Sequence, residues 1–351
     1  MNTEFVYGGC DLGMGATKFW GPAGGAQVLS LVSSNGMARY DDLLGASEKS
    51  AKQKPMEVRS KFGSFFVGEN AHDYGEPLQN LAFDRLAGTS EIHSIFYAAL
   101  TKYQQDYGKF SKPLSLMVGL PFQMLLGATS KEYKAAVKKW MVGEHEWRVG
   151  DVAYAVEVAE VFLKPQAQGI MFDYTYTIDG VMMPDRARYW VDETAGLSIG
   201  RKTIEFMLTR DNGDIDRFTG GIEMGVTRLL EDLNRRYEVA LNCEKPYTLG
   251  ELDMKLRNKR VEKEMLKMAL DDYSQRVSGA IEDRWGKYYK RFAAVLVVGG
   301  GAELLKSYMP QMLSGKAIVL DEPVMAISRG LYKMALKFKD KNNGKAKEQN
   351  S

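Results

Sequence analysis

The stretch that decides the fold is Asp11-Leu12-Gly13-Met14-Gly15-Ala16-Thr17-Lys18. It follows the β-like run Phe5-Val6-Tyr7 and leads into a second run through Trp20, so the pattern predicts strand, tight turn, strand. An Asp at a strand end can hold a hydrated cation, while the N–H groups of the turn face phosphate oxygens. Glycines let the backbone come close to such a ligand. Lys18 adds a point charge suited to a β- or γ-phosphate. The octapeptide is no Walker loop, which needs Gly-Lys-Ser/Thr entering a helix. Nor is it a dinucleotide GxGxxG, because Lys18 stands in the third glycine's place. By itself it is also compatible with a plain hairpin turn.

Two later segments share its character. Leu197-Ser198-Ile199-Gly200-Arg201-Lys202-Thr203-Ile204-Glu205 is a glycine turn feeding a strand. Val295-Leu296-Val297-Val298-Gly299-Gly300-Gly301-Ala302-Glu303 is a strand entering a glycine-rich turn and the start of a helix, a turn able to pass under a nucleotide's sugar and α-phosphate. Each is common alone; their order and spacing carry the information.

In that order the segments resemble the superfamily of actins, heat-shock chaperones and sugar kinases, and above all the plasmid-segregation (ParM-like) actins. The first phosphate hairpin matches Asp11 to Lys18, and the first connection matches Lys164-Pro165-Gln166-Ala167-Gln168-Gly169. The second hairpin matches Ser198 to Glu205, the adenosine segment Val298 to Glu303, and the second connection Ala326-Ile327-Ser328-Arg329-Gly330. Phe66-Val67-Gly68-Glu69-Asn70-Ala71, Val118-Gly119-Leu120-Pro121 and the Ala-x-x-Arg-Gly-Leu-Tyr phrase ending at Tyr332 are also similar to bacterial actins.

The resemblance implies an α/β, actin-like fold: two ribonuclease-H-like domains with a nucleotide cleft between them. It implies ATP (or GTP) with Mg²⁺, filament assembly, and slow hydrolysis coupled to polymerisation. The role implied is plasmid segregation in the cytoplasm, through a DNA-binding adaptor rather than direct contact with DNA. Asp11 would position Mg²⁺ through water and Gln166 would orient the attacking water. Gly13, Met14, Gly15, Thr17, Lys18, Ser198, Gly200, Arg201, Lys202, Thr203, Gly299, Gly300, Gly301, Ala302 and Glu303 would line the nucleotide. Two departures stand out. Ser198 occupies a position where the family usually has Asp, and Met14 replaces a small hydroxyl or amide residue, leaving Thr17 to offer a hydroxyl. Asp192, after Tyr189-Trp190-Val191, is the alternative source of the carboxylate. A structural filament with little hydrolysis and a small-molecule kinase of the same superfamily are the competing readings.

The rest of the chain agrees with two α/β halves. Its 351 residues exceed one ordinary core. The expected division is 1–175 plus 322–340 for the first domain and 176–321 for the second, with a helical subdomain over about 230–292 and a disordered tail at 341–351. Expected elements include a helix from Glu91 to Tyr107, a strand over Ala187 to Val191, and a polar stretch from Ser47 to Arg59. Helical pattern runs from Gly225 to Phe292, with breaks near Pro246, Gly279 and Gly286, and its apolar stripe suits a helix laid on a core better than a coiled coil. Forty-seven basic against 45 acidic residues give a net charge of +2, which argues against a nucleic-acid-coating or membrane-attracted surface. Two cysteines cannot staple this chain, and three scattered histidines offer no zinc spacing, so a reducing compartment is expected.

Overall fold

The computed structural model describes residues 5–34, 54–78 and 82–348. The first sheet is built from β1 (Val6–Leu12), β2 (Ala16–Gly21), β3 (Gly24–Leu29), β4 (Val32–Ser34), β5 (Met56–Ser60), β6 (Gly63–Val67), β7 (Glu76–Leu78), β8 (Leu114–Leu120), β9 (Gly143–Val149) and β10 (Val152–Pro165). Their order is β3-β2-β1-β8-β10-β9-β5-β6-β4-β7. The second sheet contains β11 (Thr194–Ile199), β12 (Ile204–Arg210), β13 (Gly213–Asp214), β14 (Gly220–Ile222), β15 (Ala294–Val298) and β16 (Ala317–Val319).

One motif occurs in both sheets. β1 pairs antiparallel with β2 and parallel with β8, which pairs parallel with β10. Likewise β11 pairs antiparallel with β12 and parallel with β15, which pairs parallel with β16. β8, β11 and β15 are buried throughout, as strands covered on both faces must be. The two domains therefore present equivalent hairpins, β1/β2 and β11/β12, at equivalent places.

Two helices lie between the sheets. The linking helix Gln166–Thr175 follows β10 directly, and the closing helix Ala326–Glu348 follows β16. They cross at backbone contact: a Cβ on Gly330 would stand 1.8 Å from the Gly169 carbonyl oxygen. Arg329 locks the crossing with two hydrogen bonds to the Asp173 carboxylate at 2.7 Å, and Lys333 bonds the same group at 2.9 Å. Around this point Met117, Ile170, Met171, Leu296, Leu331 and Met334 form an apolar cluster drawn from both domains. The closing helix also lies on β1, where a Cβ on Gly9 would meet Ser328 O at 2.1 Å.

Several expectations are corrected. Ala187 to Val191 is no strand; Pro184 starts a 3₁₀ helix, Pro184–Trp190, at the first position, where its fixed φ fits. The true incoming strand is β11, whose Gly196 and Ser198 dilute its apolar character in the sequence. Within the polar stretch, Met56–Ser60 forms β5 because β6 and β9 supply pairing partners; residues 47–53 lie outside the described residues. Gly279 does not interrupt the helix Lys263–Trp285, whose buried face offsets the roughly 1 kcal/mol a helical glycine costs, whereas Gly286 ends it at φ +50°. That helix buries Tyr273, Val277, Ile281 and Trp285 against the second core, as a helix laid on a core should. The closing helix continues through 341–348, where a disordered tail was expected, because a helix already nucleated by packed turns propagates at little cost. Residues 349–351 lie outside the described residues. Among the described residues, no helix is long and apolar enough to cross a membrane.

The crossing yields a prediction. Gly330→Ala should lower stability by at least about 2 kcal/mol, because its methyl group would overlap backbone that cannot retreat. Thermal unfolding of the variant checks this, and an unchanged midpoint would contradict it.

Candidate functional site

At the end of β1 the register pairs Asp11 with Lys18 and Leu12 with Thr17 around the turn Gly13–Gly15. Ser30 pins that turn, its hydroxyl donating to Gly13 O at 2.9 Å and its N–H to Gly15 O at 3.0 Å. Asp11 is 3% exposed and accepts from two side chains. Lys18 Nζ donates to Oδ2 at 2.9 Å, and Gln166 Nε2 donates to Oδ1 at 2.7 Å. Gln166 reaches Asp11 because it opens the linking helix where β10 ends beside β8. Three sequence-predicted residues thus form one bonded group. Thr17 does not join it: side chains alternate along a strand, so Thr17 shares the opposite face with Leu12. Its hydroxyl is buried there without a partner. Met14 is buried in the first domain's core cluster.

The second hairpin pairs Ser198 with Glu205 and Ile199 with Ile204. Ser198 and Glu205 are both buried and share the face opposite Leu197, Ile199, Ile204 and Phe206, which fill the second core. The turn is held from outside. Val226 N–H, Thr227 N–H and Gly225 N–H donate to the carbonyls of Gly200, Arg201 and Lys202, each at 2.9 Å. In trans peptides those carbonyls oppose the next N–H, so the N–H groups of Arg201, Lys202 and Thr203 point the other way, as an anion nest requires. The two turns touch, since a Cβ on Gly15 would lie 2.7 Å from Arg201 Cβ. The Arg201 guanidinium reaches Asp253, at 3.0 Å, and Leu249 O, so Arg201 props the turn. Lys202 Nζ lies 3.9 Å over the Phe83 ring and 3.4 Å from Glu223.

The third segment packs against the second hairpin. A Cβ on Gly301 would strike Ile199 Cγ2 at 2.2 Å, and one on Gly299, at φ +96°, would meet Ile199 O at 2.5 Å. Gly299 and Gly301 therefore allow close packing, and Gly300 alone faces open space. Ala302 is buried and Glu303 exposed. Asp192 is not brought to this site. It is exposed before β11, at the end away from the turn, and lies six positions before Ser198, about 20 Å along extended chain.

The sequence reading did not single out Glu205. This carboxylate is 1% exposed; Oε1 accepts from Phe122 N–H of the first domain at 3.0 Å, and Oε2 has no partner. Burial pushes its pKa up to about 8, the Asp11 charge adds to that, and the Phe122 N–H opposes it. The sequence signal was the hairpin register, which sets Glu205 directly across from Ser198.

Among the described residues no three His, Cys, Asp or Glu gather into a cage. A hydrated Mg²⁺ fits nonetheless, because Mg²⁺ keeps several waters and leans on phosphate oxygens and one or two carboxylates. The carboxylate of Asp11 is such a group; the orphaned Oε2 of Glu205 lies on a carboxyl that burial keeps protonated up to about pH 8. Above the turns the lobes meet, a Cβ on Gly250 falling 2.5 Å from His72 Nδ1. They enclose a cavity of about 160 Å³ bordered by Met14, Gly15, His72, Arg201 and Asp253. That is below the usual ligand-pocket range of roughly 300–1,000 Å³, so a ligand of that size would need the lobes to part.

Residues 9–169 match the family described as the actin-like protein N-terminal domain, and residues 197–311 match the C-terminal domain of archaeal MreB-like actin homologues. Among solved structures, a non-polymerisable quadruple mutant of pCBH ParM superposes with a TM-score of 0.72 at 15% identity, over 96% of this chain and 100% of that one. The ParM of a 15-stranded filament from Clostridium botulinum gives 0.69 at 15% identity, over 95% and 100%. An archaeal actin homologue in complex with ADP gives 0.69 at 16% identity, over 94% and 99%. A search of curated protein sequences found no match.

Glu205 gives a pH prediction. Its folded pKa lies above that of an unfolded carboxyl, so the folded state keeps a proton the unfolded state releases. Its contribution is full below the unfolded range and is lost as pH rises through about 8. The stability difference between wild type and Glu205→Gln should shift against wild type between about pH 5 and about pH 8 in denaturant unfolding. A flat difference would contradict it.

Proposed function

The chain belongs to the actin-like proteins, a family of filament formers, and on that premise we propose that it is a nucleotide-dependent, filament-forming ATPase serving plasmid segregation. The observation that carries this reading is the bonded group Asp11, Lys18 and Gln166 beneath two glycine turns that touch at Gly15 and Arg201. ATP, or GTP, would lie with its β- and γ-phosphates between the turns and its adenosine end toward Gly300. Asp11 and Glu205 would face the Mg²⁺ shell, where the ion would neutralise charge developing on the phosphates.

Phosphoryl transfer to water asks mainly for positioning and electrostatic stabilisation. The N–H groups of the turns and Lys18 supply stabilisation at fixed positions. Gln166 spends its Nε2 on Asp11, which fixes the amide and leaves Oε1 to accept a hydrogen bond from the attacking water. An amide takes no proton effectively, so Gln166 aligns the water rather than acting as base, and turnover is slow. Self-assembly supplies the filament, and a DNA-binding adaptor connects it to plasmid DNA in the cytoplasm; the near-neutral net charge agrees with indirect DNA contact.

Ser198 favours a second reading, a nucleotide-binding filament with little hydrolysis, because a hydroxyl is neutral where a carboxylate would help order water. Light scattering on addition of ATP and Mg²⁺ tests assembly, and phosphate release then separates the readings. Absence of both would overturn the proposal. Gln166→Ala should keep ATP affinity and slow phosphate release by roughly 10- to 1,000-fold, since water positioning acts only in the transition state. Collapse of affinity at constant turnover per bound nucleotide would make Gln166 structural.

A further inference from the structure

The strand β10 outruns one of its partners. It pairs with β9 over residues 152–158, but with β8 only from Val158 onward, where a bulge marks the change. Among the described residues, 152–157 therefore have a neighbouring strand on one side alone. The hairpin turn is two residues, Gly150 and Asp151, so Val149 and Val152 exchange its closing hydrogen bonds. Alternation then turns the N–H and C=O groups of Ala153 and Ala155 away from β9, toward the open side. Both alanines are exposed, as is Val152. An edge of this length with no lysine, proline or bulge inside it is a template for another strand.

The groove beside this edge says what kind of strand fits. A cavity of about 710 Å³ is lined by Ala153 and Ala155 together with Arg59, Lys109, Glu146 and Arg148. Three cations there stand against one carboxylate. Glu57 holds Arg59 and the Asp151 carbonyl holds Arg148, whereas Lys109 makes no ion pair among the described residues. Gln104, 6% exposed, also lines the groove, and its Nε2 has no acceptor. Both groups call for carboxylate or carbonyl oxygens. Phe110 adds an apolar wall, its ring stacked on Tyr103 at 5.2 Å between centroids. A second copy of this chain is a poor occupant, because edge-to-edge pairing would bring the same cations into one groove from both sides.

We propose that the open edge of β10 at Ala153 and Ala155 docks an extended acidic segment of another protein, which adds a strand to the first sheet. Main-chain hydrogen bonds along the edge supply affinity, and Lys109 with Arg148 selects the charge of the incoming segment. The groove shares no residue with the cavity between the lobes, so docking requires neither nucleotide nor Mg²⁺.

The test follows the fluorescence anisotropy of a labelled peptide, Asp-Glu-Val-Thr-Val-Asp-Glu, titrated with the full chain. A second peptide, Lys-Lys-Val-Thr-Val-Lys-Lys, reverses the charge. A third, Asp-Glu-Pro-Pro-Pro-Asp-Glu, keeps the charge but has no ladder donors at its centre. The acidic valine peptide should bind at least about tenfold more tightly than either control. Ala155→Pro should weaken that binding by a similar factor; its N–H points away from β9, so the hairpin survives the substitution. Lys109→Glu should weaken the acidic peptide and strengthen the basic one. An acidic peptide bound no more tightly than the basic one would overturn the proposal, as would undiminished binding by Ala155→Pro. Nucleotide-free protein that sediments as a dimer, and as a monomer with Ala155→Pro, would overturn it in favour of a second copy.

Discussion

The Gly169 carbonyl lies so close against Gly330 that no methyl group fits between them, and the cleft takes its geometry from that contact. Two helices that cross with side chains between them stand 8–10 Å apart. These two come closer, which brings the sheets they separate toward each other and leaves the turns of both hairpins touching. The crossing is reinforced by charge, since Arg329 and Lys333 converge on the buried Asp173. A buried carboxylate so thoroughly paired contributes definition of geometry more than net stability, and removing one partner would leave the others exposed to the full desolvation penalty.

That crossing also connects the ends of the molecule to its centre. The linking helix begins with Gln166, whose amide is bonded to Asp11, and four residues later it carries Ile170 against Gly196 of the second domain. A change in how Asp11 is satisfied is therefore felt at the start of the helix about which the domains are joined. Phe122 and Glu205 make a second link across the same boundary. With the roof contact of Gly250 on His72, the cleft is bounded by domain contacts at its floor and at its top.

The legible parts of the fold were those written locally. Glycine turns after apolar strands mark Gly13–Gly15, Gly200 and Gly299–Gly301 without knowledge of any partner, and their order along the chain points to two equivalent halves. What escaped the sequence depends on register or on distant pairing. Met56–Ser60 is a strand only because β6 and β9 border it, and its polar neighbours conceal it. Thr17 and Lys18 look equally available as phosphate ligands, yet a period of two places them on opposite faces. Glu205 reads as the far end of a motif until pairing sets it across from Ser198, and its partner Phe122 lies 83 residues earlier. Asp192 misled because a carboxylate near a strand was counted by sequence distance and not by which end of the strand it occupies.

The proposed function would rest on few groups: one bonded triad in the first domain, and one buried carboxyl and the turn Gly200–Thr203 in the second, while Gly299 and Gly301 serve close packing on Ile199. The most direct measurement is a density map of the protein with ATP or ADP and Mg²⁺. The account places the phosphates between Gly13–Gly15 and Gly200–Thr203, with Gln166 facing the terminal phosphate and the lobes parted at Gly250. Phosphates bound away from both turns, or a nucleotide seated outside the interdomain cleft, would contradict it.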